Sequence, residues 1–271
     1  MNHQIFEPHQ DLATLVKCYW TLKIQKEKTP KINTIVPDGC IKMIFHHGDR
    51  YKHHRENGES IFLPKYFVIG QLTRPYVVEP TGETGTFFVC FHPNGFLPFA
   101  TVPIKYMENT AISFEKLFGK EGQEIGQNIL NANSTSERIN LIESFLFNRL
   151  ANTQTIDQIV KSTVETILTA NGQFSIEVLS KQNKTNRRQL ARKFSSDIGL
   201  SPKQLSKTIR LQAALKMFLT KDITSLTSLA YENEYYDQAH FIKEFKEFTG
   251  LTPKEFYGDN LKMSLIFDSP E

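Results

Sequence analysis

The feature that most constrains the fold of this chain is a long internal repeat in its C-terminal third. The stretch that begins at Phe174 and the stretch that begins at Thr224 share one pattern of apolar, polar and turn residues. Phe194 and the run GLSP in the first copy recur 51 positions later as Phe245 and the run GLTP. A repeat with such constant spacing indicates a duplicated supersecondary unit. Two copies of one motif are therefore expected in tandem.

The pattern of each copy predicts a short helix, a turn and a longer helix, which together make a helix-turn-helix. Asn186 is placed to cap the longer helix of the first copy, and Asp237 is placed to cap that of the second. Between the copies we expect a long helix from Pro202 to Phe218, because proline is favoured at the first helical position. This helix would set the distance between the two units.

Basic residues are concentrated in only one of the two copies. Residues 181–216 contain ten Lys and Arg against one acidic residue, a net charge of +9. Residues 222–259 contain three Lys against eight acidic residues, a net charge of −5, and the formal charge of the whole chain, +3, hides this contrast. Because phosphates attract Lys and Arg, the first copy is predicted to hold a nucleic acid more firmly than the second.

Residues 1–110 predict a β-rich domain. Short runs rich in Val, Ile, Phe and Tyr alternate with Gly, Pro, Asn and Asp turns, a pattern typical of a barrel or a sandwich. The predicted strands are Val16–Ile24, Thr34–Val36, Ile41–His46, Ile61–Leu63, Tyr66–Ile69, Tyr76–Val78 and Thr86–Phe91.

Residues 111–152 are predicted to form a helical linker, and residues 153–258 are predicted to form the domain that contains the repeat. Residues 259–271 are a tail without an assigned role. One linker helix, 136–150, carries an apolar stripe at helical spacing. The stripe consists of Ile139, Ile142, Phe145, Leu146 and Leu150. Two interpretations stay open, since the stripe suits either a cover for the β-domain or a contact with a second copy of the chain.

Several kinds of site and location are disfavoured by the sequence. Cys18, Cys40 and Cys90 are odd in number and far apart, which predicts buried reduced thiols rather than a disulfide framework. The pairs His46-His47 and His53-His54 are expected on an exposed hairpin, not in a metal site. No apolar run approaches the roughly 20 residues of a spanning helix, and the N-terminus lacks a signal-peptide layout, so a cytoplasmic protein is expected.

The C-terminal residues 156–257 resemble the DNA-binding domain of the AraC/XylS family of bacterial transcription regulators. The resemblance rests on LSKQ, RRQLARKF, GLSP and the closing run SLAYENEYYDQAHFIKEFKEFTGLTPKEFY. Residues 1–150 are similar to the sensory half of a subgroup of these regulators through YWTL, VPDGCIKMIF, GQLTRP and FHPNGF. The resemblance implies an α+β protein with a cupin-like β-barrel domain, a helical linker and an all-α domain with two helix-turn-helix units.

The same resemblance implies which residues face DNA, because the second helix of each unit enters the major groove in this family. In the first unit the implied set is Asn186, Arg187, Arg188, Ala191, Arg192 and Lys193, of which Arg187 and Lys193 suit phosphates. In the second unit it is Gln238, Ala239, His240 and Lys243. An arginine fork on a guanine edge discriminates by about 1–3 kcal/mol. Whether the second helix reads bases or mainly braces the domain is left open.

The implied partners are promoter DNA, a small-molecule effector and RNA polymerase, with the chain a monomer or a homodimer. No enzymatic activity, cofactor, metal or membrane partner is expected. Two alternatives remain open. One is a metal-dependent cupin-type enzyme fused to a DNA-binding domain. The other is a ligand-free auxiliary DNA-binding protein, in which the core of the β-domain would be packed solid.

Overall fold

The computed structural model describes residues 2–26, 31–150, 157–173, 177, 186–220, 230–233 and 235–256. Within these residues the N-terminal part is rich in antiparallel sheet and the C-terminal part is helical, so the α+β class is confirmed. The first helix of each predicted helix-turn-helix falls almost wholly in the remaining residues. That part of the tandem prediction therefore lies outside the described residues.

The β-strands of the N-terminal part form two antiparallel sheets. The larger sheet has the order β1-β2-β9-β4-β7-β10, and the smaller has the order β3-β8-β5-β6. The strands are β1 Asn2–Phe6, β2 Val16–Ile24, β3 Asn33–Ile35, β4 Lys42–Gly48, β5 Tyr51–His54, β6 Ser60–Phe62, β7 Tyr66–Ile69, β8 Tyr76–Pro80, β9 Thr84–Phe91 and β10 Ala111–Ser113.

The prediction of a closed barrel is wrong. Among the described strands, no strand of the larger sheet pairs with a strand of the smaller sheet. The two sheets instead enclose one apolar layer that includes Trp20, Phe88 and Val78. Alternate residues of the larger sheet, such as Tyr19 and Phe87, enter a second layer beneath the linker helices. Because both faces of the larger sheet are buried, its apolar side chains are shielded from water without closure of the sheet into a barrel.

The described α-helices follow the predicted order along the chain. They are α1 Phe114–Asn131, α2 Thr135–Leu150, α3 Gln158–Thr169, α4 Arg187–Ile198, α5 Pro202–Thr220, α6 Gln238–Thr249 and α7 Pro253–Phe256. A short 3-10 helix, Ile104–Met107, precedes them. In the part of the chain covered by the structure, no helix is both long and apolar enough to span a membrane.

The apolar stripe of α2 is used to cover the larger sheet. Ile142, Phe145 and Leu146 are buried in the same layer as Phe114 and Phe118 of α1. Of the two interpretations of this stripe, the packing supports the cover. Cys18, Cys40 and Cys90 are buried thiols that form no disulfide with one another, as predicted.

The repeat is preserved in the structure, since α4 and α6 begin and end 51 residues apart. The predicted caps are confirmed: Asn186 Oδ1 accepts a hydrogen bond from Gln189 N at 2.8 Å, and Asp237 Oδ1 accepts one from His240 N at 2.7 Å. Both helices end at a left-handed glycine, Gly199 with φ of 84° and Gly250 with φ of 76°. The two helices are thus started and stopped by the same local chemistry.

Candidate nucleic-acid interface

The exposed face of α4 is basic. Leu190 and Phe194, one turn apart, are buried and hold the opposite face of the helix against the domain core. Arg188 and Arg192, also one turn apart, are exposed, and so is Arg187. Within the described residues none of these three arginines makes an ion pair. Two guanidinium groups on one face, near the capped end of a helix, suit the edges of bases in a major groove.

Lys193 differs from these arginines, because its ammonium group contacts the Asp157 carboxylate. Asp157 also caps α3, where its Oδ1 accepts a hydrogen bond from Ile159 N at 2.8 Å. The hydrogen bond from Lys193 is the main cause that lowers the pKa of Asp157 below its ordinary value. The phosphate contact of Lys193 stays a prediction, and the charge available for it is partly neutralised.

The exposed face of α6 is less basic than that of α4. Ala239, His240 and Lys243 are exposed, whereas Gln238 is half-buried. Phe241 and Phe245 are buried and hold the opposite face of the helix in the domain core. The helix therefore offers two exposed lysines, Lys243 and Lys246, beside the exposed Glu247, where α4 offers three arginines that make no ion pair within the described residues.

Glu244 of α6 is one of the eight acidic residues counted in residues 222–259, yet it is only 2% exposed and so adds no acidic group to the exposed face of the helix. Its Oε1 lies 2.6 Å from Arg210 Nη2 and its Oε2 lies 3.2 Å from Lys207 Nζ, both on α5. Glu244 therefore joins α6 to α5 and offsets part of the charge of two of the ten cations counted in residues 181–216. Its place one turn from Phe241, on the apolar face, was the signal of burial in the sequence.

A cavity of about 40 Å³ lies between the two sheets. Its lining is almost entirely apolar and includes Ile44, Phe67 and Phe88. Lys42 and His46 are also among the residues that border it. Lys42 is buried and contacts the Asp38 carboxylate. Although burial lowers the pKa of Lys42, the Asp38 charge and weaker contributions raise it above its ordinary value overall, so this lysine stays charged.

His46, which borders the same cavity, corrects the prediction that the histidine pairs are exposed. The residue His46 is only 5% exposed, and its burial lowers the pKa of the imidazole to about 3. Its Nδ1 lies 3.1 Å from Thr86 Oγ1, while its buried Nε2 has no hydrogen-bond partner among the described residues. His47, His53 and His54 are half-buried. Within the described ranges, no three His, Cys, Asp or Glu side chains are grouped to hold a metal ion.

Two family models match the chain. One, described as a helix-turn-helix domain, matches residues 179–258. The other, described as a domain of unknown function (DUF6597), matches residues 4–113. The boundary of the second match falls near the predicted end of the β-rich domain.

Curated relatives resemble only part of this chain. An uncharacterized HTH-type transcriptional regulator of Staphylococcus aureus, SAS0078, is 32% identical over 85 residues, which are 31% of this chain and 11% of that protein. An uncharacterized HTH-type transcriptional regulator of Haemophilus influenzae is 33% identical over 81 residues, which are 30% of this chain and 27% of that protein. The chain thus matches about a tenth and about a quarter of the length of these relatives.

The solved structures to which the chain is similar include ToxT from Vibrio cholerae. That likeness has a TM-score of 0.48 at 14% identity and covers 90% of this chain and 98% of that chain. A probable AraC family transcriptional regulator from Rhodopseudomonas palustris is similar with a TM-score of 0.34 at 22% identity, over 40% of this chain and 98% of that chain.

Proposed function

Residues 179–258 are a helix-turn-helix domain of the AraC type, and from this premise we propose that the chain is a sequence-specific DNA-binding transcription regulator. The observation that carries the proposal is the exposed face of Arg188 and Arg192 on α4, where neither arginine makes an ion pair with another described residue. In this proposal α4 reads bases, Arg187 binds a phosphate, and α6 adds a weaker contact through Lys243. Contact with RNA polymerase and the choice between monomer and homodimer stay predictions of the resemblance.

The proposal is tested by selecting binding sites for the full chain from random duplex DNA. We expect one motif to be enriched, and Arg188→Ala to lose about 1–3 kcal/mol on that motif while its preference relaxes at one base position. Gln123→Ala is a suitable control, because Gln123 is exposed on α1. Equal binding of all duplexes, or an Arg188→Ala variant with unchanged preference, would contradict base reading by α4.

We also propose that the N-terminal domain binds a small, largely apolar effector between its sheets. The cavity supports this, and so does the buried Nε2 of His46, which has no hydrogen-bond partner among the described residues. A ligand-free auxiliary protein was expected to have a solid core instead. A ligand larger than a few water molecules requires the sheets to separate further.

Native mass spectrometry of the purified chain tests the effector site. We expect a retained small molecule, and its loss in Val78→Phe, because Val78 is 4% exposed and borders the cavity. A chain that carries no small molecule, and whose melting temperature is raised by no apolar compound in a panel, would contradict the effector site. The DNA-selection experiment tests DNA binding whether or not an effector is found.

A further inference from the structure

A cleft lies where the N-terminal domain meets the C-terminal half of α4. Its volume is about 440 Å³, and we call it the basic cleft. It is lined by Lys105, Arg192, Lys193, Ser195, Ser196 and Asp197. Lys105 belongs to the 3-10 helix Ile104–Met107, whereas the other lining residues belong to α4. The lining therefore combines three cations and two hydroxyl groups with one carboxylate, and one of the cations comes from the N-terminal domain.

Packing between the 3-10 helix and α4 holds Lys105 beside the basic face of α4. Ile104 is buried, and a Cβ added to Gly199, which ends α4, would lie 2.9 Å from Ile104 Cγ2. Met107, at the other end of the 3-10 helix, is buried as well. These two anchors leave Lys105 and Tyr106, which lie between them, exposed. The place of Lys105 beside α4 is therefore set by buried contacts on either side of it.

Lys105 and Arg192 supply the positive charge that the basic cleft can offer to an anion. Both are exposed, and neither makes an ion pair within the described residues. Lys193 is less available, because it contacts the Asp157 carboxylate. Burial is the main cause that raises the pKa of Asp197 above its ordinary value, so the negative charge of this carboxylate is disfavoured. The cations of the basic cleft therefore outweigh its acid.

An exposed aromatic residue lies next to Lys105. Tyr106 is 67% exposed, and Lys105 Nζ lies 4.9 Å from the centre of its ring. Within the described residues the Tyr106 hydroxyl has no hydrogen-bond partner. Lysine and tyrosine side chains are both common donors to the phosphates of DNA. The 3-10 helix thus presents two adjacent donors of the kind that a phosphate accepts.

The basic cleft opens on the face of α4 that carries the proposed base-reading arginines. Arg188, Arg192 and Ser196 follow one another at intervals of four residues, so they share one face, and all three are exposed. Arg188 and Ser196 lie about 12 Å apart along the helix axis, and the major groove is also about 12 Å wide. A helix that reads bases through its N-terminal half therefore brings the basic cleft to a DNA strand that borders the groove.

We propose that the basic cleft binds the phosphodiester backbone of the DNA that α4 reads, and that Lys105 of the N-terminal domain donates to one of its phosphates. The DNA interface then extends beyond the helix-turn-helix domain of residues 179–258. Because a phosphate contact carries no sequence information, it adds affinity for every duplex and orients the N-terminal domain on the DNA. This inference rests on the proposed DNA-binding function and adds a second surface to it.

The test uses the full chain and measures the Kd for the selected duplex over a salt series. Lys105→Ala is expected to raise the Kd about two- to fivefold and to reduce the salt slope by about 0.9. The same factor is expected on an unselected duplex, unlike the effect of Arg188→Ala. Lys105→Arg keeps the charge and should bind as the wild type does. Lys120→Ala is the matched control, because the side chain of Lys120 on α1 is 88% exposed and does not line the basic cleft.

Duplexes in which a single phosphate is replaced by an uncharged methylphosphonate locate the contact. We expect a replacement beside the motif to weaken binding of the wild type and to leave binding of Lys105→Ala unchanged. The inference would be overturned by a Lys105→Ala variant with the salt slope of the wild type, by a Lys105→Arg variant as weak as Lys105→Ala, or by the same methylphosphonate profile for both chains. A wild-type chain that selects no motif would overturn the proposed function instead.

Discussion

The ion pair between Lys193 and Asp157 leads to a prediction that the sequence did not contain. A lysine that must leave a carboxylate to reach a phosphate contributes less to DNA affinity than an unpaired one. Asp157→Asn removes the charge while keeping the cap of α3, because asparagine caps a helix about as well as aspartate. Lys193 is then available to DNA without competition.

The size of this effect follows from the exposure of the pair. The side chains of Lys193 and Asp157 are 47% and 29% exposed, so solvent screens their attraction. Pairs of this kind contribute about 0.2–1 kcal/mol. We therefore expect Lys193→Ala to cost up to about fivefold more affinity in the Asp157→Asn background than in the wild type.

Fluorescence anisotropy with labelled duplexes measures the effect over a salt series. The cycle consists of the wild type, both single variants and the double variant, which separates the pair from the long-range effect of one fewer negative charge. Arg187→Ala serves as the reference for a cation that makes no ion pair with another described residue, and it should reduce the salt slope by about 0.9. The same cost of Lys193→Ala in both backgrounds would refute this reasoning.

Three further predictions follow from the same domain and from the β-domain. Glu244→Gln leaves Arg210 without its carboxylate and should lower the free energy of unfolding by about 2–4 kcal/mol, measured by urea titration. Lys243→Ala should weaken binding to the selected duplex less than Arg188→Ala does, and an equal loss in anisotropy would contradict the division between α4 and α6. Burial lowers the pKa of His46 to about 3, so the unfolded chain takes up the proton first. Stability should therefore be full above about pH 6.5 and decline as the pH falls towards 3, by up to about 1.4 kcal/mol per pH unit. Thermal melts should show this decline in the wild type and a smaller one in His46→Gln.

Most of the strands were predictable, since their apolar patterns are local. Strand β2 and strand β7 have the predicted bounds. The strands that were missed are β1, β5 and β10. Strand β5 has the sequence YKHH, and β1 and β10 are short strands at the two edges of the larger sheet. Such segments become strands through their partners rather than through their own composition.

The arrangement of the sheets was not predictable for a related reason. A barrel and two facing sheets can be built from strands with the same apolar pattern, and the difference lies in which edges form hydrogen bonds. Those bonds join residues far apart in the chain, such as Val16 and Phe91. The cavity depends on the same arrangement, because both sheets contribute to its lining.

The sequence alone was sufficient for the existence of α4 and α6 and for their caps at Asn186 and Asp237, because a cap acts within a few residues. The charge that is available to DNA was decided by the tertiary structure. Lys193 meets an acid 36 positions away, and Arg210 meets one 34 positions away. Because the attraction between charges depends on their distance in space and their exposure to water, a count of charges along the chain could not separate paired from unpaired cations.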